Sequence, residues 1–395
     1  MIARQLQPIL RSAARQVPVV VLSGPRQSGK TTLARAALPR HTYISLADPD
    51  VRSFAHEDPS GFLKQFRRNV LIDDFHHGVQ LLSHVQALVE RDERPGRFVL
   101  IGSGNYLPSR AAQMPSDRYT VLHLFPFSFS ELASRPAVDL SVLGRRPPPS
   151  RPPEEADLME TLFRGFYPRI HDRQLDARSW LRNYLRNFVE RDLSRHVHVA
   201  EVDTFLLFLR MCAGRNGQLL NLSSLASDAG VTHTTVRRWL FALEVNCLVV
   251  LLRPHQRSFN KRLIKSPKLY FLDTGLLCVL LRIRTPEELR THAARGVVFE
   301  SYVLSELLKA RLHHGKEPDI YFWRDSAGHE IDFLIDDGER LTPIEARSGQ
   351  TIAGGFFTGL EFWRKLSRTR EAVLVYGGDR SFRRLGSTVY RWSDI

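Results

Sequence analysis

A chain of 395 residues exceeds what one ordinary hydrophobic core supports, so two or three domains are expected. With 43% apolar and 25% charged residues it reads as globular, and no run approaches the roughly 18 to 20 apolar residues of a membrane-spanning helix. Its 56 Lys and Arg against 42 Asp and Glu leave a formal charge of +14, which points to a polyanionic partner, nucleic acid before a membrane surface.

The opening "MIARQLQPILRSAARQVP" has neither a long apolar core nor a small-residue cleavage pattern, so it does not read as a secretion signal. Cys212, Cys247 and Cys278 are widely spaced in apolar segments with no CxxC pair, which favours a reducing cytoplasm over a disulfide framework. From about Val17 to Glu131 short apolar strands alternate with helical stretches: "PVVVLSG" (18–24), "HTYISL" (41–46), "NVLID" (69–73), "RFVLIGS" (97–103) and "YTVLHLF" (119–125). Apolar strands joined by helices predict a parallel sheet covered on both faces.

"GPRQSGKTT", made of Gly24, Pro25, Arg26, Gln27, Ser28, Gly29, Lys30, Thr31 and Thr32, matches G-x-x-x-x-G-K-[ST] between a strand and a helix. The glycines let backbone N–H groups curl around phosphates, which also meet the positive end of the following helix. Lys30 is expected to reach the outer phosphates of ATP, and the Thr31 hydroxyl to ligate Mg²⁺. "NVLIDDFHHG" (69–78) then raises the question of what its two adjacent carboxylates hold. A nucleotide-bound Mg²⁺ answers it for Asp73, which ends the apolar strand. The strand "HTYISL" leaves room for one more strand between those of the P-loop and Asp73. In ATPases with such an additional strand, a glutamate follows the aspartate and polarises the attacking water. Here Asp74 stands instead, one methylene shorter, and a small misplacement can cost about a hundredfold in rate.

Ser103, or less favourably Asn105, ends the next strand where a polar side chain contacts the γ-phosphate or the water. Arg118 and Arg191 are candidates for an arginine acting on a neighbouring subunit's nucleotide. His76 and His77 have no third metal-ligand partner in the sequence and read as loop residues.

"RPAVDLSVLGRRPPPSRPPEEAD" (135–157) carries too many prolines for helix or strand and reads as a linker. The pattern then turns helical. In "NLSSLASDAGVTHTTVRRWLFALEVNCLVVLL" (221–252), Leu222, Leu225 and Ala226 mark a short helix, Gly230 a turn and Thr232 a cap. Val236, Trp239, Leu240 and Leu243 form the apolar face of the second helix, with His233, Thr234, Arg237 and Arg238 opposite. A basic strip follows with Arg253, Arg257, Lys261, Arg262, Lys265 and Lys268 and no acid. That is the composition of a winged helix with its wing on DNA phosphates, or of a module that contacts protein instead.

Towards the end, Glu300 falls on a helix, Asp332 on the strand "EIDFLI", and Glu345 and Arg347 in "LTPIEARS". An acid on a helix, Asp on one strand and Glu-x-Lys on the next is the order of PD-(D/E)xK nucleases. Arg347 stands where their lysine would be, and its charged fork has a different reach, so a relic site is expected.

These segments together resemble a widespread bacterial and archaeal family of AAA-type P-loop ATPases with a C-terminal domain of unknown function. The resemblance is carried by "GPRQSGKTTLA", "LFPFSFSEL", "YLRNFVERDL", "NKRLIKSPKLYFLDTGLL", "GVVFESYVLSEL" and "YFWRDSAGHEIDFLI". The chain departs from the usual family pattern at Asp74, at "IGSGNY" for a threonine-containing run, at "PSDR" for "AGR", and at Arg347 for lysine. The expected architecture is α/β throughout its two ends: an AAA-type P-loop ATPase domain (1–134), a Pro-rich linker (135–157), a helical lid or connector (158–215), a winged helix (216–290) and an α/β nuclease-like domain (291–395). The implied activity is that of an ATPase using ATP and Mg²⁺, bound to duplex or branched DNA. A homo-oligomer such as a hexameric ring, cytoplasmic and away from membranes, is the expected form. A slow ATP-dependent switch in a protein assembly and an ATP-regulated nuclease are the alternatives.

Overall fold

The computed structural model describes residues 2–104, 117–145, 155–192, 202–257, 259 and 262–395, with only the backbone of 191 and 192. These fall into two units. The first comprises Met1–Phe127, Val245–Cys247 and Arg311–Glu317; the second comprises Ser128–Glu244, Leu248–Ala310 and Pro318–Ile395.

The first unit is built on five parallel strands, β1 (Val19–Ser23), β2 (Thr42–Ser45), β3 (Val70–Asp73), β4 (Phe98–Ile101) and β5 (Tyr119–His123), in the order β2-β3-β4-β1-β5. Alternation along β1 sends Val19 and Val21 into one core with Phe62, Leu63 and Val85. Val20 and Leu22 enter another with Leu6, Leu10 and Leu33. Burial on both faces is why β1, β3 and β4 read as nearly unbroken apolar runs, each full side chain contributing about 1.5–3 kcal/mol. β4 lies between β1 and β3, filling the place for an additional strand. Two distant segments complete this unit. The Phe125 N–H donates to His313 Nε2 at 3.2 Å. A side chain at Gly104 would meet the Val245 carbonyl oxygen at 2.5 Å.

The second unit begins with helices Leu158–Arg164, Pro168–Asp172, Ala177–Asn187 and Val202–Gly214. Helices Leu222–Ala229 and His233–Val245 follow, with Asn221 capping the first through the Ser224 N–H and Gly230 ending it in the left-handed region. Thr232 Oγ1 accepts from the Thr235 N–H at 3.1 Å. Trp239 is buried against the rings of Phe205 and Phe208, at 5.3 and 5.2 Å between centroids. β6 (Val249–Leu252) and β7 (Lys268–Phe271) then form a two-stranded antiparallel sheet.

Helix Arg295–Leu312 leads into a six-stranded mixed sheet of β8 (Ile320–Arg324), β9 (Glu330–Asp336), β10 (Leu341–Arg347), β11 (Val373–Tyr376), β12 (Phe382–Arg384) and β13 (Ser387–Arg391). Its order is β12-β13-β11-β10-β9-β8. Trp323, Leu360, Trp363, Leu374 and Val389 form its core.

The described part of the proline-rich stretch is not an open linker. Leu140 and Leu143 are buried, the Leu140 carbonyl accepts from Arg340 at 3.2 Å, and the Gly144 carbonyl accepts from Thr388 at 3.1 Å. Side chains beside and within the C-terminal sheet thus reach backbone acceptors of this stretch. Residues 146–154 lie outside the described residues.

Candidate nucleotide-binding site

The loop after β1 depends on two glycines. Gly24 has φ +141°, and a Cβ there would lie 2.1 Å from the Leu124 carbonyl oxygen. Gly29 has φ +94° and caps helix Lys30–Ala37, whose unpaired N–H groups therefore border the loop. Pro25 is buried, Arg26 and Gly29 are half-buried, and Gln27 and Thr32 are exposed. Lys30 is buried, its Nζ donating to the carbonyls of Gly24 at 3.0 Å and Pro25 at 2.6 Å. Desolvation lowers its pKa to about 8, with the neighbouring Asp73 opposing the shift. Ser28 is fully buried, and its hydroxyl has no hydrogen-bond partner among the described residues. An unpaired buried hydroxyl is costly, and a phosphate oxygen would satisfy it. The glycine cradle, this hydroxyl and the lysine resting on carbonyls fit a nucleotide triphosphate.

Asp73 and Asp74 diverge in partners. Thr31 Oγ1 donates to Asp73 Oδ2 at 2.6 Å, the Tyr43 hydroxyl donates to the same oxygen at 3.1 Å, and Asp73 Oδ1 accepts from the Asp74 N–H at 2.8 Å. Asp74 sits in the left-handed region at φ 51°, and its Oδ2 accepts from Ser45 Oγ at 3.0 Å. The partners are neutral hydroxyls and an amide, a donor set that holds two carboxylates while leaving their charge for a cation. Thr31 and Asp73 together fit Mg²⁺ by chemistry. Tyr43 and Ser45 are site residues that sequence reasoning passed over. The signal was present, since "TYIS" pairs with "VLID" and sets Ser45 against Asp73.

Ser103 lies half-buried just past β4, between the strands that carry the P-loop and Asp73. Asn105 and the side chain of Arg191 lie outside the described residues. Arg118 is not brought to this site within the chain. It precedes β5, at the sheet end opposite the P-loop, and pairs with Glu93 at 3.1 Å and Glu90 at 3.9 Å. The rings of His76 and His77 lie 4.1 Å apart at a tilt of 39°, and no cluster of three metal-ligating side chains occurs among the described residues.

In the second unit the four residues Glu300, Asp332, Glu345 and Arg347 do come together. Arg347 Nη1 donates to Asp332 Oδ2 at 2.8 Å, and Nη2 donates to Glu345. Asp332 and Glu345 are buried. Burial and the charge of Asp332 push Glu300 up to about 7 and hold Glu345 well above the usual carboxylate range. Tyr270 donates to Glu300 at 3.2 Å. The guanidinium therefore bridges the two carboxylates that a divalent ion would need.

The basic strip divides. Arg237 and Arg238 are exposed on helix His233–Val245, and Arg257, Arg262 and Lys265 are exposed in the loop between β6 and β7. Lys268 does not belong with them. It is buried in β7, paired with Glu330 and set 5.4 Å from the centre of the Phe322 ring, so it cannot meet DNA. Lys261 lies outside the described residues. Both described legs of the loop are held: the His255 N–H donates to the Phe322 carbonyl at 2.7 Å, and the Ser326 N–H to the Arg262 carbonyl at 2.8 Å.

Three family models match the chain in succession: AAA domain over 16–133, domain of unknown function DUF8612 over 155–287, and domain of unknown function DUF4143 over 295–394. The uncharacterized proteins Rv2008c of Mycobacterium tuberculosis and Mb2031c of Mycobacterium bovis are each 30% identical over 346 residues, covering 87% of this chain and 73% of theirs. Among solved structures, the Walker-type ATPase PABY2304 of Pyrococcus abyssi matches at 14% identity and TM-score 0.40, over 72% of this chain and 96% of that one. A RuvB variant of Thermotoga maritima matches at 18% identity and TM-score 0.30, over 62% and 87%. With its P-loop domain ahead of the DUF8612 and DUF4143 domains, and relatives 30% identical over 87% of its length, the chain belongs to the family of P-loop ATPases that join an AAA domain to a C-terminal DUF4143 domain.

Proposed function

We propose that this protein binds ATP with Mg²⁺ at the P-loop, hydrolyses it, and uses the cycle to act on duplex or branched DNA as a cytoplasmic homo-oligomer such as a hexameric ring. The observation that carries this reading is the Thr31–Asp73 contact of 2.6 Å beside a buried Lys30. Lys30 exchanges the carbonyls of Gly24 and Pro25 for phosphate oxygens, and Ser28 gains an acceptor. Bound Mg²⁺ would neutralise phosphate charge, with Thr31 and Asp73 holding it. Asp74, steadied by Ser45, polarises the attacking water, and Ser103 contacts the water or the γ-phosphate. Arg118 or Arg191 is the candidate to complete a neighbouring subunit's site.

DNA contact falls to Arg237 and Arg238, with Arg257, Arg262 and Lys265 adding charge. No helix among the described residues is long and apolar enough to cross a membrane. The Arg347 bridge speaks against nuclease activity. The short reach of Asp74 favours a second reading, a slow ATP-dependent switch acting through protein contacts.

The test is the ATPase rate with and without duplex, single-stranded and four-way-junction DNA. Stimulation by DNA supports the first reading. A rate that no DNA changes supports the switch. Absence of ATP binding refutes both.

A further inference from the structure

The loop from 253 to 267 is pinned along β8, the end strand of the C-terminal sheet. Its first leg pairs in parallel at Pro254–Phe322 and its second leg antiparallel at Leu263–Asp325. The Phe322 N–H donates to the Arg253 carbonyl, and the Ile264 N–H to the Arg324 carbonyl. Trp323 Nε1 donates to the Arg257 carbonyl at 3.1 Å. The described legs are thus held against the sheet edge, and beside them opens a cavity of about 1570 Å³.

Arg253, Arg257, Arg262 and Lys265 line this cavity. Two carboxylates face these four cations: Asp336, matched by His255 Nε2 at 3.0 Å, and Glu244, which desolvation pushes towards its neutral form. The lining therefore keeps a positive excess. Leu263, Ile264 and the half-buried Tyr321 supply an apolar and aromatic floor, with Tyr321 edge-on to His255 at 5.2 Å. The volume exceeds the roughly 300–1,000 Å³ of small-molecule pockets.

We propose that this groove takes a single strand of nucleic acid, its phosphates along Arg253, Arg257, Arg262 and Lys265 and a base against Tyr321. The inference rests on the DNA reading above and narrows it. Cations around an aromatic floor are what an unpaired strand engages, because its bases are free to stack. A duplex hides its bases from such a floor. Three of the four cations are arginines, whose planar forks match phosphate. An acidic peptide adding to the β8 edge is disfavoured, since the loop already takes hydrogen bonds from that edge.

The experiment is fluorescence anisotropy of the full chain with labelled (dT)20, a mixed-sequence 20-base-pair duplex and an oligoglutamate peptide, across a salt series. Arg253→Ala with Arg257→Ala is expected to weaken (dT)20 binding at least tenfold. It should also reduce the slope of log affinity against log salt by roughly 1.4, at about 0.7 per lost phosphate on a single strand. Tyr321→Ala is expected to cost roughly fivefold or more in (dT)20 affinity, with Tyr321→Phe keeping the parent value. Arg237→Ala with Arg238→Ala should weaken the duplex and spare (dT)20. Circular dichroism and the melting temperature confirm that the variants fold. Groove variants that bind (dT)20 with the parent's affinity and salt slope overturn the groove and leave the DNA reading standing. A parent that binds neither DNA refutes the DNA reading itself. Tight peptide binding, lost in the arginine variant while (dT)20 binding is absent, assigns the groove to an acidic protein.

Discussion

Two pairs of neighbouring carboxylates in this molecule receive opposite treatment. Asp73 and Asp74 are held by Thr31, Tyr43 and Ser45, all neutral hydroxyls, so their charge stays available. Asp332 and Glu345 are held by Arg347, a cation built into the chain. The first pair keeps its charge open to a cation; the second has its cation supplied by the chain itself on folding. Paired acids on neighbouring backbone are thus not by themselves a metal site, and the neighbouring donors decide which kind they are.

The largest expected effect comes from removing the built-in cation. Arg347→Ala should destabilise the protein by about 3 kcal/mol, because two buried carboxylates lose their shared partner. The value sits at the lower end because 34% of the Arg347 side chain is in water. Urea denaturation reads it, and Asp73→Asn is the matched control, with little loss expected. Equal losses would erase the contrast between the pairs.

Next is Lys30→Ala, which should lower ATP turnover by about a hundredfold or more with the fold intact, as loss of a preorganised charge at a reacting phosphate does. A coupled phosphate-release assay measures it, and turnover at the parent's rate would remove the nucleotide-site assignment. The lowered pKa of about 8 adds a sign. Phosphate favours charged Lys30, so ATP binding takes up a proton above pH 8, and affinity falls as pH rises through that value. Calorimetry in buffers of different ionisation enthalpy detects the uptake.

Glu300 gives a smaller effect of definite direction. Its pKa rises from the ordinary 4.5 to about 7, so between these values the folded state holds a proton that the unfolded chain has released. Stability from this group is therefore greatest below pH 4.5, falls as pH rises, and levels off above 7. Glu300→Gln should flatten that decline and stabilise the protein at pH 8 by on the order of 2 kcal/mol. Parallel stability profiles for parent and variant would contradict the assignment.

Asp74 provides the finest comparison. Asp74→Asn should lower turnover about tenfold with ATP binding retained, and Asp74→Glu should leave it unchanged or raise it a few-fold by restoring reach. An asparagine variant as fast as the parent would leave Asp74 as only the neighbour of Asp73.

What could be read from the sequence was local. The glycine spacing of 24–29 encodes a turn that few other residues can make, and the strand succession placed Asp73 beside Thr31. The cluster of Glu300, Asp332, Glu345 and Arg347 was also visible, because its order along one helix and two strands matches a known motif. Lys268 was not legible: its charge suggested surface, yet its partner Glu330 lies 62 residues on and only the tertiary fold pairs them. The ion pairs of Arg118 were hidden for the same reason, its acids Glu90 and Glu93 standing in a separate segment. Leu140 and Leu143 sat among prolines that masked their burial. Nothing in the pattern around Val245 or His313 announced that either belongs with the P-loop sheet.

That last feature bears on how the protein is made. The nucleotide-binding unit draws on Val245–Cys247 and Arg311–Glu317 as well as its first 127 residues, so its parts do not leave the ribosome together. The sheet can form early, but His313 reaches the Phe125 amide only after more than three quarters of the chain has been synthesised. A fragment ending at 134 would therefore expose surface that the whole protein covers, and limited proteolysis should cut it faster than the same region in the intact chain. Nucleotide competence would then come late in synthesis, and a truncated product would be poorly equipped to bind ATP on its own.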